Sequence, residues 1–171
     1  MSTLIEMNFL ISINEIKKNF LKKENIYFFS LITIIFSLDR ITKLGIINNY
    51  SERSYYVNDF INFDLIWNTG IGFGFLSTQS TLLYNVITVI IFAIVVILFF
   101  FLINSKKLDK LIFASIIGGA IGNFYDRLIF KAVPDFIDLH YNNFHWFTFN
   151  VADIFITIGI LIFMMKGFFT R

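Results

Sequence analysis

The stretch "GGAIGNFYDRLIFKAVPDFIDLH", Gly118 to His140, decides how this chain folds. An apolar, small-residue run ends abruptly in Asn123, Asp126, Arg127, Asp135 and Asp138. Polar groups at the edge of a bilayer core cost free energy unless they are solvated, paired or put to use. Gly118, Gly119 and Gly122, with Ala114 and Ala120, make the run before them a small-residue helix, and Gly118-x-x-x-Gly122 is a spacing that lets helices approach closely. Asn123 lies three residues before Asp126 and four before Arg127, so all three can share one side of that helix end. Pro134 then forces Val133 towards an extended backbone, which puts Asp135 on a stiff, non-helical segment. Taken alone, Asp135 reads as a solvated loop carboxylate more readily than as a catalyst.

Outward from this stretch the chain is apolar in blocks. Of 171 residues 57% are hydrophobic and only 15% charged, against about 25% charged in soluble domains. Four blocks are long enough to cross a bilayer, which takes about 20 helical residues: 26–47, 81–103, 111–130 and 147–165. The expected class is an all-α integral membrane protein, a bundle of four transmembrane helices in a single domain over 26–171. Residues 1–25 are expected to form a cytoplasmic N-terminal tail, whose mixture of apolar and basic positions fits an interfacial helix and an ill-ordered tail equally well. Lys17, Lys18, Lys22, Lys23, Lys106, Lys107, Lys110, Lys166 and Arg171 fall on one side, and Arg53, Arg127 and Lys131 on the other. That bias places both termini in the cytoplasm. The first block ends in Asp39–Arg40 without a small-residue cleavage site, so it reads as an uncleaved anchor.

The first external loop has its own pattern. In "INFDLIWN", 61–68, Ile61, Phe63, Leu65 and Trp67 alternate with their neighbours, which predicts a strand with one apolar face. The glycine-rich "NTGIGFGF", 68–75, follows, and Trp67 and Trp146 fall where an outer aromatic belt belongs. A small external β-strand cradle resting on the outer leaflet is expected.

A net charge of +2 leaves no electrostatic footprint for nucleic acid, and the absence of cysteine excludes disulfides and thiolate chemistry. His140 and His145 lack a third ligand in metal-site spacing, so neither a metal nor a cofactor is expected. Asp39 and Lys43 stand four apart and can pair on one helix face. Asp126–Arg127 alone reads as an interfacial salt bridge. Asn150 followed by Asp153 looks like a helix N-terminus, a cap with an acid in the first turn, placed at the membrane boundary. Two converging carboxylates cannot easily both ionise, so one can serve as acid while the other activates a water. Spacing leaves open which two of Asp126, Asp135 and Asp153 meet. A transporter lined by these aspartates and a scaffold held by salt bridges are the competing classes. The gathering of polar groups at one face disfavours the former.

In order along the chain stand "DRITK" (39–43), "NTGIGFGF" (68–75), "GGAIGNFYDR" (118–127), "VPDF" (133–136) and "FNVAD" (149–153). Together they resemble the lipoprotein signal peptidase (signal peptidase II) family. The resemblance implies an aspartic endopeptidase of the bacterial inner membrane with its active site near the periplasmic face. Such an enzyme cuts prolipoproteins before a diacylglyceryl-modified cysteine, with membrane lipid around it and no nucleic acid partner, and a monomer is expected. Carried over by motif, Asp135 and Asp153 are the catalytic pair. Asn68, Gly119, Asn123, Arg127 and Asn150 bind substrate or support the pair, Asp39 and Lys43 brace the site, and Asp126 becomes a neighbour supporting Arg127. Gly72 and Pro134 depart from the family's usual Ala and Val.

Overall fold

The structure, a computed structural model, describes residues 22–70 and 80–169. Most of the tail and of the glycine-rich loop, Gly72 included, lies outside these residues. Helix α1 is Lys23–Tyr50, and strands β1 (Tyr55–Asn58) and β2 (Ile61–Asn68) follow it. Helices α2 (Thr81–Asn104) and α3 (Lys107–Phe130) come next, then β3 (Val133–Tyr141), β4 (Phe144–Phe149) and α4 (Val151–Phe169). The protein is mainly helical with one small antiparallel sheet.

Helix α3 is the centre, packed against each of the other three helices. Its glycines explain why the approach can be so close. A Cβ on Gly118 would stand 2.8 Å from Ile35 Cβ, and one on Gly122 would stand 2.5 Å from Asp39 Oδ2, both on α1. A Cβ on Gly119 would run into the carbonyl oxygen of Ala152 on α4. The small-residue face is therefore consumed by helix packing. Phe28, Ile32, Leu102, Phe113, Ala114 and Ile117 make the buried cluster joining α1, α2 and α3.

Thr81–Asn104 and Val151–Phe168 are long and apolar enough to cross a membrane. Much of α2 turns its apolar side chains outward (Leu82, Val89, Phe100), as a lipid-facing helix does. Helices α1 and α3 are interrupted by charge at Asp39, Arg40, Lys43, Asp126 and Arg127, all buried.

The sheet runs β1-β2-β3-β4 in order, every pair antiparallel. The predicted strand over 61–68 is β2. A bulge between Phe63 and Ile66 resets its register, so that Ile66 faces Asp135, Trp67 faces Pro134 and Asn68 faces Val133. Pro134 is tolerated because β4 pairs with β3 only from Ile137 onward, leaving no ladder bond to supply on that side. Two chain reversals use left-handed residues: Lys131 (φ 58) ends α3, and Asn142 (φ 52) lies in the tight β3–β4 turn. The fourth apolar block is corrected at its start. Residues 147–149 finish β4, and the helix begins only at Val151.

Candidate active site

Asp135 lies near the start of β3, only 2% exposed. Its Oδ2 accepts from Asn68 Nδ2 at 2.8 Å and its Oδ1 from Asn150 Nδ2 at 2.6 Å. Asn68, the last residue of β2, is itself oriented by accepting from the Gly70 N–H at 2.8 Å. Asp153 is in the first turn of α4, and Asn150 caps that turn as the sequence predicts. The Asp153 N–H donates to Asn150 Oδ1 at 3.1 Å, while the Asn150 N–H donates back to Asp153 Oδ2 at 3.2 Å. One asparagine thus binds both aspartates, Asp135 by its side-chain amide and Asp153 by its backbone.

The other oxygen of Asp153 accepts from Asn123 Nδ2 at 2.8 Å. Asn123 is fixed in that orientation because its Oδ1 receives Lys43 Nζ at 2.8 Å, and a cation tolerates only the carbonyl end of the amide. Lys43, fully buried, also pairs with Asp39 Oδ2 at 2.9 Å and Asp126 Oδ2 at 2.7 Å. Asp39 reaches further, accepting the Ala152 N–H at 3.0 Å and so fastening the first turn of α4 to α1.

Two readings of the sequence change. Asp126 does not serve Arg127. Among the described residues its ion-pair partners are Lys43 and Arg40, with Arg40 Nη1 2.5 Å from Asp126 Oδ1 and Nη2 also 3.1 Å from Asp39 Oδ2. Arg127 turns instead to backbone, donating to the Asn123 carbonyl at 3.1 Å and the Gly70 carbonyl at 2.5 Å. It pins the chain where the glycine-rich loop begins. Arg40 is the residue that sequence reasoning missed. Its signal was available in its position one after Asp39, within a helix too apolar to bury a lone guanidinium.

Four carboxyls (Asp39, Asp126, Asp135, Asp153) and three cations (Arg40, Lys43, Arg127) are gathered here, all buried. The cluster is electroneutral when one carboxyl keeps its proton. Burial, and next the charge of Asp153, push the Asp135 carboxyl up to about 7. Asp135 is therefore suited to hold that proton. Beside the pair a cavity of about 310 Å³ opens between α2, α3 and α4. Its walls include Ile91, Val95, Ala120 and Ile156, and Asn123, Arg127 and Asp153 also line it.

Over residues 31–169 the chain matches the family described as signal peptidase (SPase) II. It is 44% identical over 142 residues to the lipoprotein signal peptidase of Pelagibacter ubique, covering 81% of this chain and 86% of that one. The lipoprotein signal peptidase of Francisella tularensis subsp. novicida is 34% identical over 157 residues, covering 88% and 97%. That of Aquifex aeolicus is 35% identical over 160 residues, covering 90% and 93%. A bacterial membrane enzyme solved by the in meso method at 2.3 Å superposes with a TM-score of 0.69 at 28% identity, covering 83% of this chain and 87% of that one.

Proposed function

The chain belongs to the signal peptidase II family, and from that premise we propose that it is an aspartic endopeptidase of prolipoproteins. It cuts the peptide bond before a diacylglyceryl-modified cysteine with a water activated by Asp135 and Asp153. The observation that carries this reading is Asn150, which hydrogen-bonds both carboxylates at once. A water between them loses a proton to the ionised partner, Asp153, as its oxygen attacks the scissile carbonyl carbon. Asp135 donates its proton to the carbonyl oxygen as the tetrahedral species forms. Collapse of that species breaks the C–N bond: the proton taken up by Asp153 passes to the leaving amine of the cysteine, and one gem-diol hydroxyl returns its proton to Asp135, leaving a carboxylic acid.

The remaining residues hold this geometry. Asn68 and Asn150 orient Asp135, Asn123 orients Asp153, and Lys43 orients Asn123. Asp39 and Gly119 set the position of α4 against α1 and α3. Arg127 holds the Gly70 carbonyl, two residues beyond Asn68, and so steadies the end of β2 beside Asp135. The apolar cavity beside Asp153 suits a lipid-linked or apolar segment of the substrate. Four helices then span the bacterial inner membrane with both termini cytoplasmic, the sheet lies at the periplasmic face, and 26–171 acts as one peptidase unit working as a monomer.

The test is cleavage by the purified chain of a prolipoprotein with and without the diacylglyceryl group, products being identified by mass. Cleavage of the lipidated form alone, at the bond before the cysteine, is expected. Equal cleavage of both forms, or cleavage elsewhere, would refute the substrate assignment.

A further inference from the structure

The end of the bundle opposite the sheet carries a second feature that the catalytic reading leaves unused. The start of α1 and the turn between α2 and α3 are clasped there by Lys110, which is 4% exposed. Its ammonium donates to Asn25 Oδ1 at 2.7 Å and to Glu24 Oε1 at 2.9 Å. A second lysine, Lys166 on α4, pairs with Asp109. Both carboxylates described at this end are therefore already engaged by a lysine. Lys22, Lys23, Lys106 and Lys107 remain, all exposed, and among the described residues none of them is in an ion pair. The clasp brings them together as a surplus of positive charge.

Between the two helix starts lies a cavity of about 450 Å³ lined by Glu24, Tyr27, Phe28 and Lys107. Lys107 stands in its lining with Lys106 next to it in sequence, Lys22 and Lys23 lead into the helix that supplies the other wall, and Tyr27 and Phe28 give it apolar walls one turn further along α1. Outside the cavity, exposed Leu108 and Leu111 begin the apolar belt at the same depth. The lysines are thus at the level of lipid headgroups, and the walls at the level where glycerol and acyl chains start. A soluble acidic partner would match the charge without filling an apolar recess below it. A lipid with an anionic head matches both.

We propose that this cavity is a binding site for an anionic glycerophospholipid, with its phosphate held by Lys107 and the neighbouring lysines and its glycerol backbone against Tyr27 and Phe28. Basic pockets at the ends of membrane helices recognise such headgroups by charge and depth together. Glu24 does not oppose this, because Lys110 offsets its charge. The site is independent of the catalytic reading and is tested without any turnover.

The full chain, purified in a neutral detergent, is titrated with dioleoyl phosphatidylglycerol or dioleoyl phosphatidylcholine, and lipid adducts are counted by native mass spectrometry. Occupancy of the first site by phosphatidylglycerol is expected to exceed that by phosphatidylcholine about tenfold. Lys106→Gln with Lys107→Gln removes that preference. Arg53→Gln with Lys131→Gln, an equal loss of exposed charge at the sheet end, leaves it intact. Equal occupancy by the two lipids overturns the proposal. So does an equal fall in both double variants, which would mean diffuse charge attraction with no site.

Discussion

Replacing Gly119 with alanine adds one methyl group where, among the described glycines, a neighbouring backbone comes nearest. That Cβ would collide with the Ala152 carbonyl oxygen and stand 2.9 Å from Ile156 Cγ1 and 3.1 Å from the Ala152 carbonyl carbon. Ordinary contact for such atoms begins at 3.4 Å. A side-chain tip could rotate away, but the carbonyl belongs to the backbone of α4 one residue before Asp153. Relief needs a shift of α4 of roughly half an ångström to one ångström, and overpacking of this kind costs about 1–3 kcal/mol. Alanine returns about 1 kcal/mol in helix propensity, so a net loss of about 0–2 kcal/mol is expected. The functional effect should be larger, because moving a catalytic group by about 1 Å costs on the order of a hundredfold in rate. Gly45→Ala is the matched control: a Cβ there meets nothing within 4 Å, so stability should hold or rise. Thermal unfolding in detergent and cleavage of a lipidated prolipoprotein measure the two effects. A Gly119→Ala enzyme as stable and as active as Gly45→Ala would refute the packing argument.

Other outcomes follow from the same geometry. Lys43→Met leaves Asp39 and Asp126 with Arg40 alone, and breaking a buried pair this way costs about 3–5 kcal/mol; a loss below about 1 kcal/mol in denaturation would contradict the network. Asn150→Ala removes a helix cap worth about 1 kcal/mol together with a donor to Asp135, so its kcat should fall more than its KM rises, whereas a change in KM alone would point to substrate binding. If Asp135 supplies the acid, kcat/KM declines about tenfold per pH unit above about pH 7, where its carboxyl titrates; a flat alkaline profile of kcat/KM to about pH 9 would rule out that role. Stability carries the same signature with a definite sign. Between the ordinary 3.8 and the native value of about 7 the folded state holds the Asp135 proton more tightly than the unfolded chain, so this group's contribution is fully present below that window and is lost as pH rises through it. Melting temperature against pH, wild type beside Asp135→Asn, reads that slope.

Much of this arrangement was legible in the sequence because local rules governed it. The Asn150 cap with Asp153 in its first turn and the Asp39–Lys43 spacing both depend on residues three or four apart, and both are present as expected. The alternating strand over 61–68 was readable for the same reason. Strand β4 was not, because "FHWFTF" is apolar and runs straight into an apolar helix, and hydrophobicity alone does not mark where one ends. Strand β3 was obscured by Asp135, Asp138 and His140, whose burial reflects partners on other elements. The partners of Asp126 were misread for a related reason. Arg127 is adjacent in sequence, yet adjacent residues on a helix point apart, and the cations that reach Asp126 come from α1, more than eighty residues earlier. The small-residue face of α3 showed that something packs closely, but not that α1 and α4 both do.

The central claim is that Asp135 and Asp153 act together on one water, and single carboxylate-to-amide changes test it most directly. Initial rates of prolipoprotein cleavage would be measured for Asp135→Asn, Asp153→Asn and Asp138→Asn, each normalised to folded protein. Asp138 is a fitting comparison, since it is equally buried on β3 but faces His145 at 2.7 Å. The account predicts near-complete loss of turnover in the first two, with binding of substrate retained, and cleavage within a few-fold of wild type in the third. Cleavage surviving in either Asp135→Asn or Asp153→Asn, with the fold intact, would contradict it.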